Sequence, residues 1–156
     1  MIDPIEVTVE IDTPKDAAFD AFVEDIDEWW PLEKLSIAQG TVKIEQDYDG
    51  RIVETESDGT EHVWGTITVW DPHDDLAVSW YVGPDRTPTS ITLTFVENDE
   101  GRTEVTLVHS GWDDLGTEGV EKRSNYEIGW DQIFVQGYAK YARANCPKPM
   151  ERGTDT

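Results

Sequence analysis

Val105, Leu107 and His109 alternate with Thr106 and Val108 along a strand that runs into Ser110, Gly111 and Trp112. A helical segment comes next, in which Tyr126, Trp130, Ile133, Phe134, Tyr138 and Tyr141 share one side. Rings placed in this way stand in water unless the helix lies against a curved sheet or an apolar cavity. That requirement narrows the fold more than any other part of the chain. A chain of 156 residues buries about 68 to 70% of its unfolded surface, enough for one sizeable core and too little for two ordinary domains.

The rest of the pattern agrees with a sheet wrapped on a helix. Ile5, Val7, Val9 and Ile11 alternate with Glu6, Thr8 and Glu10, the period of a strand with one wet face. Thr13 is placed to cap a helix, Pro14 fits its first turn, and Ala17, Ala18, Phe19, Ala21 and Phe22 give it a packing side. A second short helix is predicted over 25–30, ended by Pro31. Strands are predicted at 41–46, 51–55, 62–70, 76–82, 90–96 and 103–109, separated by Asp49-Gly50, Asp58-Gly59, Asp71-Pro72, Gly83-Pro84 and Glu100-Gly101. From Val120 to about Ala142 the period becomes 3.6, and Pro147 and Pro149 close the ordered part, leaving a frayed tail over 147–156.

Seven strands interrupted by helices only after the first do not make a doubly wound parallel fold, which needs a crossover helix between successive strands. The prediction is an α+β fold: a curved seven-stranded antiparallel sheet around a long C-terminal helix, in a single domain over 1–146.

The run Trp64-Gly65-Thr66-Ile67-Thr68-Val69-Trp70-Asp71-Pro72, followed by Leu76-Ala77-Val78-Ser79-Trp80, resembles the central segment of the activator of Hsp90 ATPase family, in the START-like (helix-grip, SRPBCC) superfamily. Trp29-Trp30-Pro31, Gly50-Arg51, the stretch from Arg102 to Trp112, and Gly129-Trp130 add to the likeness in the same order, so that it spans roughly residues 5 to 142. The resemblance implies a β-α-α-β6-α helix-grip fold with a cavity between the sheet and the last helix. In the wider superfamily such cavities hold lipids, sterols, polyketide intermediates or plant hormones. The co-chaperones that name the family stimulate Hsp90 through basic contacts, and the acidic surface of this chain departs from that pattern.

Acidic residues number 34 against 12 basic ones, for a formal charge of -22, and they run from Asp3 to Asp155. The dispersal describes an acidic, solvated surface suited to high salt, where like-charge repulsion is screened. Nucleic acid is excluded as a partner because no basic patch is visible. Cys146 is the single cysteine, which rules out an intrachain disulfide and a four-cysteine metal site. The start has neither a basic nor an apolar leader region and no segment approaches a membrane span, so a cytoplasmic protein without membrane insertion is expected, as monomer or homodimer.

Parity puts His109 with Val105 and Leu107, and Trp80 with Leu76 and Val78, on the concave face. Trp80, His109, Tyr126, Trp130, Phe134 and Tyr138 are therefore the candidate cavity residues, with Trp29, Trp30 and Arg86 at its mouth. Each has a plain packing role as its alternative. Trp64 and Trp70 fall on the parity of His62 and not of Ile67 and Val69; either that face is covered or a bulge at Gly65 resets the alternation. No HExxH, phosphate loop, GxSxG elbow or CxxC is present, and His73-Asp74-Asp75 is too local for a metal site, so no cofactor is expected. The main expectation is binding of a small apolar or amphipathic ligand. A protein-interaction or chaperone-modulating role and an enzyme of the cyclase, dehydratase or hydrolase type are the alternatives.

Overall fold

The structure, a computed structural model, describes residues 2–30, 40–82 and 87–148. Its elements are β1 (Ile5–Ile11), α1 (Lys15–Glu24), α2 (Ile26–Trp29), β2 (Thr41–Ile44), β3 (Arg51–Thr55), β4 (Glu61–Asp71), β5 (Asp75–Val82), β6 (Thr87–Glu97) and β7 (Thr103–Ser110). A 3-10 segment (Trp112–Glu118) then leads into α3 (Gly119–Trp130), a π-helical stretch (Asp131–Ala139) and α4 (Lys140–Asn145), which continue one another. The strands form one antiparallel sheet in the order β1-β7-β6-β5-β4-β3-β2. This is the curved seven-stranded helix-grip sheet with a long C-terminal helix.

Hydrophobic alternation sets the concave face. Ile5, Val9 and Ile11 on β1, Leu76, Val78 and Trp80 on β5, Ile91, Leu93 and Phe95 on β6, and Val105, Leu107 and His109 on β7 are all buried. The register places His109 opposite both Ile5 and Ile91, so the last turn of β7 lies inside the sheet and not at an edge.

β4 breaks the alternation twice, which explains the parity conflict in its sequence. Ile52 pairs with Gly65 while Val53 pairs with Val63, leaving Trp64 as an extra residue on β4. On the other side Ile67 pairs with Val78 while Val69 pairs with Ala77, which leaves Thr68 unpaired. Each bulge reverses the facing of the residues beyond it, so Trp64, Ile67 and Trp70 all turn inward. Trp64 and Ile67 are buried, and Trp70 packs against Phe19. Gly65 is required at the first bulge, because a Cβ there would lie 2.7 Å from the Ser79 carbonyl oxygen and 2.8 Å from Val78 Cγ1.

Three local expectations are corrected. Thr13 does not cap α1: its hydroxyl donates to the Pro147 carbonyl, and the Lys15 amide instead donates to Glu97 Oε1 at 2.9 Å, so the end of β6 caps the helix. β6 begins at Thr87 and carries Pro88 within it, opposite Tyr81; proline forfeits only its own donor there. The C-terminal helix does not keep a 3.6 period, since residues 131–139 form a π-helix, a form more often confined to single turns. Gly137 lets this stretch close on α2: a Cβ at that position would stand 2.7 Å from the Trp29 carbonyl oxygen.

The short helices plug one end of the sheet. Tyr138 donates to the Ala18 carbonyl at 2.6 Å, Trp29 Nε1 to the Ala21 carbonyl at 3.0 Å, and Tyr141 to Asp25 at 3.0 Å. Beyond α4, Lys148 pairs with Asp12 at 3.1 Å, so the chain is still tied down at 147–148; residues 149–156 of the expected tail lie outside the described residues. No described helix is long and apolar enough to cross a membrane.

Candidate functional site

His109 is fully buried near the end of β7, and burial lowers its pKa to about 3, so the ring is neutral. Its tautomer is set by its neighbours. Trp130 Nε1, which can only donate, lies 2.9 Å from His109 Nδ1 and makes that nitrogen the acceptor. The proton therefore sits on Nε2, which donates to Thr89 Oγ1 at 2.6 Å, and Thr89 in turn donates to the Trp80 carbonyl at 3.2 Å. One directed chain of hydrogen bonds thus runs from α3 through β7 and β6 to β5. Both ring nitrogens are committed to it, so His109 acts as a strut between helix and sheet.

Gly111 makes the next part of the site possible. With φ of 93° it turns the chain at the end of β7 through a left-handed conformation, and Trp112 folds back to lie 4.2 Å from the His109 ring and to donate to the His109 carbonyl at 2.9 Å. Tyr126, one helical turn before Trp130, packs edge-on against the imidazole at 5.2 Å and lies 5.6 Å from Trp112. Its hydroxyl accepts from Trp80 Nε1 at 3.1 Å, and burial raises its pKa despite that bond.

Next to this strut four indoles from four different elements meet. Trp30, just past α2, lies 4.8 Å from Trp64, 6.1 Å from Trp80 and 6.2 Å from Trp130, and Trp64 and Trp80 are 6.0 Å apart. All four are less than 10% exposed. The Nε1 of Trp80 and of Trp130 is satisfied by the bonds above. Trp64 Nε1 is buried and has no hydrogen-bond acceptor among the described residues, a state that costs about 1–3 kcal/mol.

The structure brings together Trp80, His109, Tyr126, Trp130 and, from the expected mouth, Trp30. Phe134 and Tyr138, which stack on each other at 5.6 Å, lie at the plugged end, where Trp29 packs against Tyr138 and Phe22 and, 6.0 Å from Trp30, links that end to the indoles. Arg86 lies outside the described residues. Three further site residues are not among those the sequence singles out. Thr89 sits in a stretch that reads as a loop before β6, Trp64 has an undecided facing, and Trp112 stands only as part of a motif. Glu54 is a fourth surprise, a fully buried carboxylate on β3 whose Oε2 accepts from the Gly40 amide at 2.7 Å.

The site's fold has recognisable counterparts. The family described as Activator of Hsp90 ATPase homolog 1-like protein matches residues 12–141. The solution structure of CalC from Micromonospora echinospora, described as a self-sacrificing resistance protein, is 26% identical with a TM-score of 0.70, covering 94% of this chain and 97% of that one. Protein SSP2350 of Staphylococcus saprophyticus is 20% identical with a TM-score of 0.64, covering 92% and 93%. PFC0360w of Plasmodium falciparum, described as an HSP90 activator, is 19% identical with a TM-score of 0.60, covering 86% and 92%. Among proteins with curated descriptions, none matches.

Proposed function

We propose, from the premise that the chain belongs to the Activator of Hsp90 ATPase homolog 1-like family, that it holds a small apolar or amphipathic molecule between sheet and C-terminal helix. Its helix-grip fold is one that commonly binds hydrophobic ligands. The observation that carries the reading is the convergence of Trp30, Trp64, Trp80 and Trp130 from four elements, beside the half-buried Tyr126. An indole wall with few polar groups is what an aromatic ligand needs: large flat area for burial, and a small number of fixed donors to orient it.

Binding without turnover fits the site better than catalysis. His109 is neutral and both its nitrogens are occupied by Trp130 and Thr89, so it is not placed to exchange a proton with a ligand. CalC is described as self-sacrificing, a description that supports stoichiometric capture over turnover in a similar chain. The likeness to an HSP90 activator, at 19% identity, speaks to fold alone.

The test is native-condition mass spectrometry after incubation with fluorene, a flat apolar probe. A one-to-one complex is expected, weakened at least tenfold in Trp130→Ala with the far-ultraviolet circular dichroism unchanged. Absence of any wild-type complex at saturating fluorene overturns the proposal.

A further inference from the structure

Among the described residues Trp64 Nε1 is a buried donor with nothing to donate to, on a ring more than nine-tenths buried. Buried donors of this kind are uncommon because nearly all find a partner. A trapped water is a poor substitute here, since buried water makes about three hydrogen bonds and the rings packed on Trp64 are those of Trp30 and Trp80. The indole of Trp80 already donates to Tyr126.

The groups around the wall also fix the charge of an occupant. The rings that adjoin Trp80 and Trp130 are Trp30, Trp64, Tyr126 and His109, none of them cationic. The protein as a whole carries a formal charge of -22, which disfavours an anion. Among the described residues a carboxylate or phosphate would meet no countercharge at these rings, whereas a neutral oxygen would complete the missing hydrogen bond of Trp64.

We propose that Trp64 is the specificity-determining donor of the site and that it selects flat, uncharged aromatic ligands bearing a carbonyl oxygen. This rests on the ligand-site reading above and adds the chemical class. The indole N–H points along its ring plane, so the ligand lies at the Nε1 edge of Trp64 with its carbonyl oxygen in that plane, beside the Trp30 ring that packs 4.8 Å away at the end of the four-residue α2. The net gain on binding comes from the carbonyl accepting from Nε1 and from the ligand area removed from water.

The experiment compares 9-fluorenone with fluorene, which share a flat tricyclic frame and differ by the carbonyl oxygen. Dissociation constants are measured by quenching of intrinsic tryptophan fluorescence for the wild type and Trp64→Phe. The ratio of fluorene to fluorenone dissociation constants is expected to fall about tenfold or more in Trp64→Phe, over and above the loss of wall area common to both probes. In the ¹⁵N-indole spectrum of the wild type, the Trp64 Nε1–H resonance should move downfield with fluorenone and not with fluorene, which keeps the idea testable if the variant does not fold. Equal ratios in the two proteins, or an unmoved Trp64 resonance on fluorenone binding, overturn the role of Trp64 while the site stands. Failure of both probes to bind the wild type overturns the site itself.

Discussion

Trp130 on the C-terminal helix donates to Nδ1 of His109 on the last strand across 2.9 Å, and this one bond fixes the imidazole as its Nε2–H tautomer. The rest of the hydrogen-bond chain depends on that choice. With the proton on Nε2 the ring donates to Thr89, Thr89 donates to the Trp80 backbone, and the helix is registered on β5 through two intervening strands. A helix held against a sheet by apolar contact alone is free to slide. Here sliding breaks a buried hydrogen bond.

The neutral state of His109 makes the fold sensitive to acid. The unfolded ring titrates near 6.5 and the folded one at about 3, because burial disfavours the charge. Above 6.5 both states are neutral and the full stability is present. As the pH falls from 6.5 towards 3 only the unfolded chain takes up the proton, so stability declines by at most about 1.4 kcal/mol per pH unit from this group. Urea unfolding at constant ionic strength between pH 7 and 4, on the wild type and His109→Gln, isolates it from the carboxylates. The stability gap between the two proteins should narrow as the pH drops; a constant gap would show that His109 is not the titrating group.

Thr89 is the joint of the same chain. Thr89→Val keeps the shape but leaves His109 Nε2–H without its acceptor, at an expected cost of about 1–3 kcal/mol. Thr89→Ser retains the hydroxyl and should recover most of it. A Thr89→Val protein as stable as the wild type in urea melts would mean that the hydrogen bond does not matter, and a serine variant less stable than the valine one would trace the effect to the methyl group.

Two glycine-to-alanine changes should have opposite signs. At Gly65 the added methyl meets the Ser79 carbonyl oxygen at 2.7 Å and Trp80 Cε3 at 3.2 Å, whereas at Gly129, inside α3, nothing lies within 4 Å. Gly65→Ala is expected to destabilise by about 1–3 kcal/mol and to alter the near-ultraviolet circular dichroism of the indole wall. Gly129→Ala should stabilise by about 0.5–1 kcal/mol, since alanine loses less backbone entropy in a helix. Thermal melts of the pair decide it, and a neutral Gly65→Ala would remove the argument for a close approach at the bulge.

Legibility in the sequence tracks where periodicity holds. β5 and β7 keep strict alternation, so the inward facing of Leu76, Val78 and Trp80, and of Val105, Leu107 and His109, can be read directly. β4 does not. Its two bulges each reverse the facing, and the only local marks of them are Gly65 and the misplaced parity of Trp64 and Trp70. Thr89 is obscured because Pro88 reads as a breaker while the strand tolerates it opposite Tyr81. The π-helical stretch is invisible because rings at four-residue steps, Trp130, Phe134 and Tyr138, suit the wider turn as well as the α turn. Glu54 has no signal at all: one buried acid cannot be told from 33 others by composition. The three-dimensional split of the candidate site into an indole wall and a plugged end belongs to α1 and α2, whose short amphipathic sequences do not say which end of the sheet they close.

The surface charge yields a prediction at a single pair. Register sets Glu10 on β1 directly opposite Glu104 on β7, both exposed, with Arg102 3.6 Å from the Glu10 carboxylate and Arg143 donating to the Glu10 carbonyl at 2.9 Å as partial offsets. Like charges facing each other across a strand pair are destabilising on the scale of about 0.2–1 kcal/mol. In a chain of formal charge -22 this is the local form of a repulsion that acts over the whole surface. Salt shortens its reach, from about 10 Å at 0.1 M to about 3 Å at 1 M, so wild-type stability should rise between those concentrations of potassium chloride. Glu104→Gln should therefore stabilise the fold at 0.1 M by a few tenths of a kcal/mol to about 1 kcal/mol, and its advantage should shrink towards zero at 1 M. Potassium chloride also strengthens apolar burial, but that effect is common to both proteins and cancels in their difference. Urea melts of the two at each salt concentration measure it, and an advantage that persists at 1 M would trace the effect to packing of the side chain and not to charge.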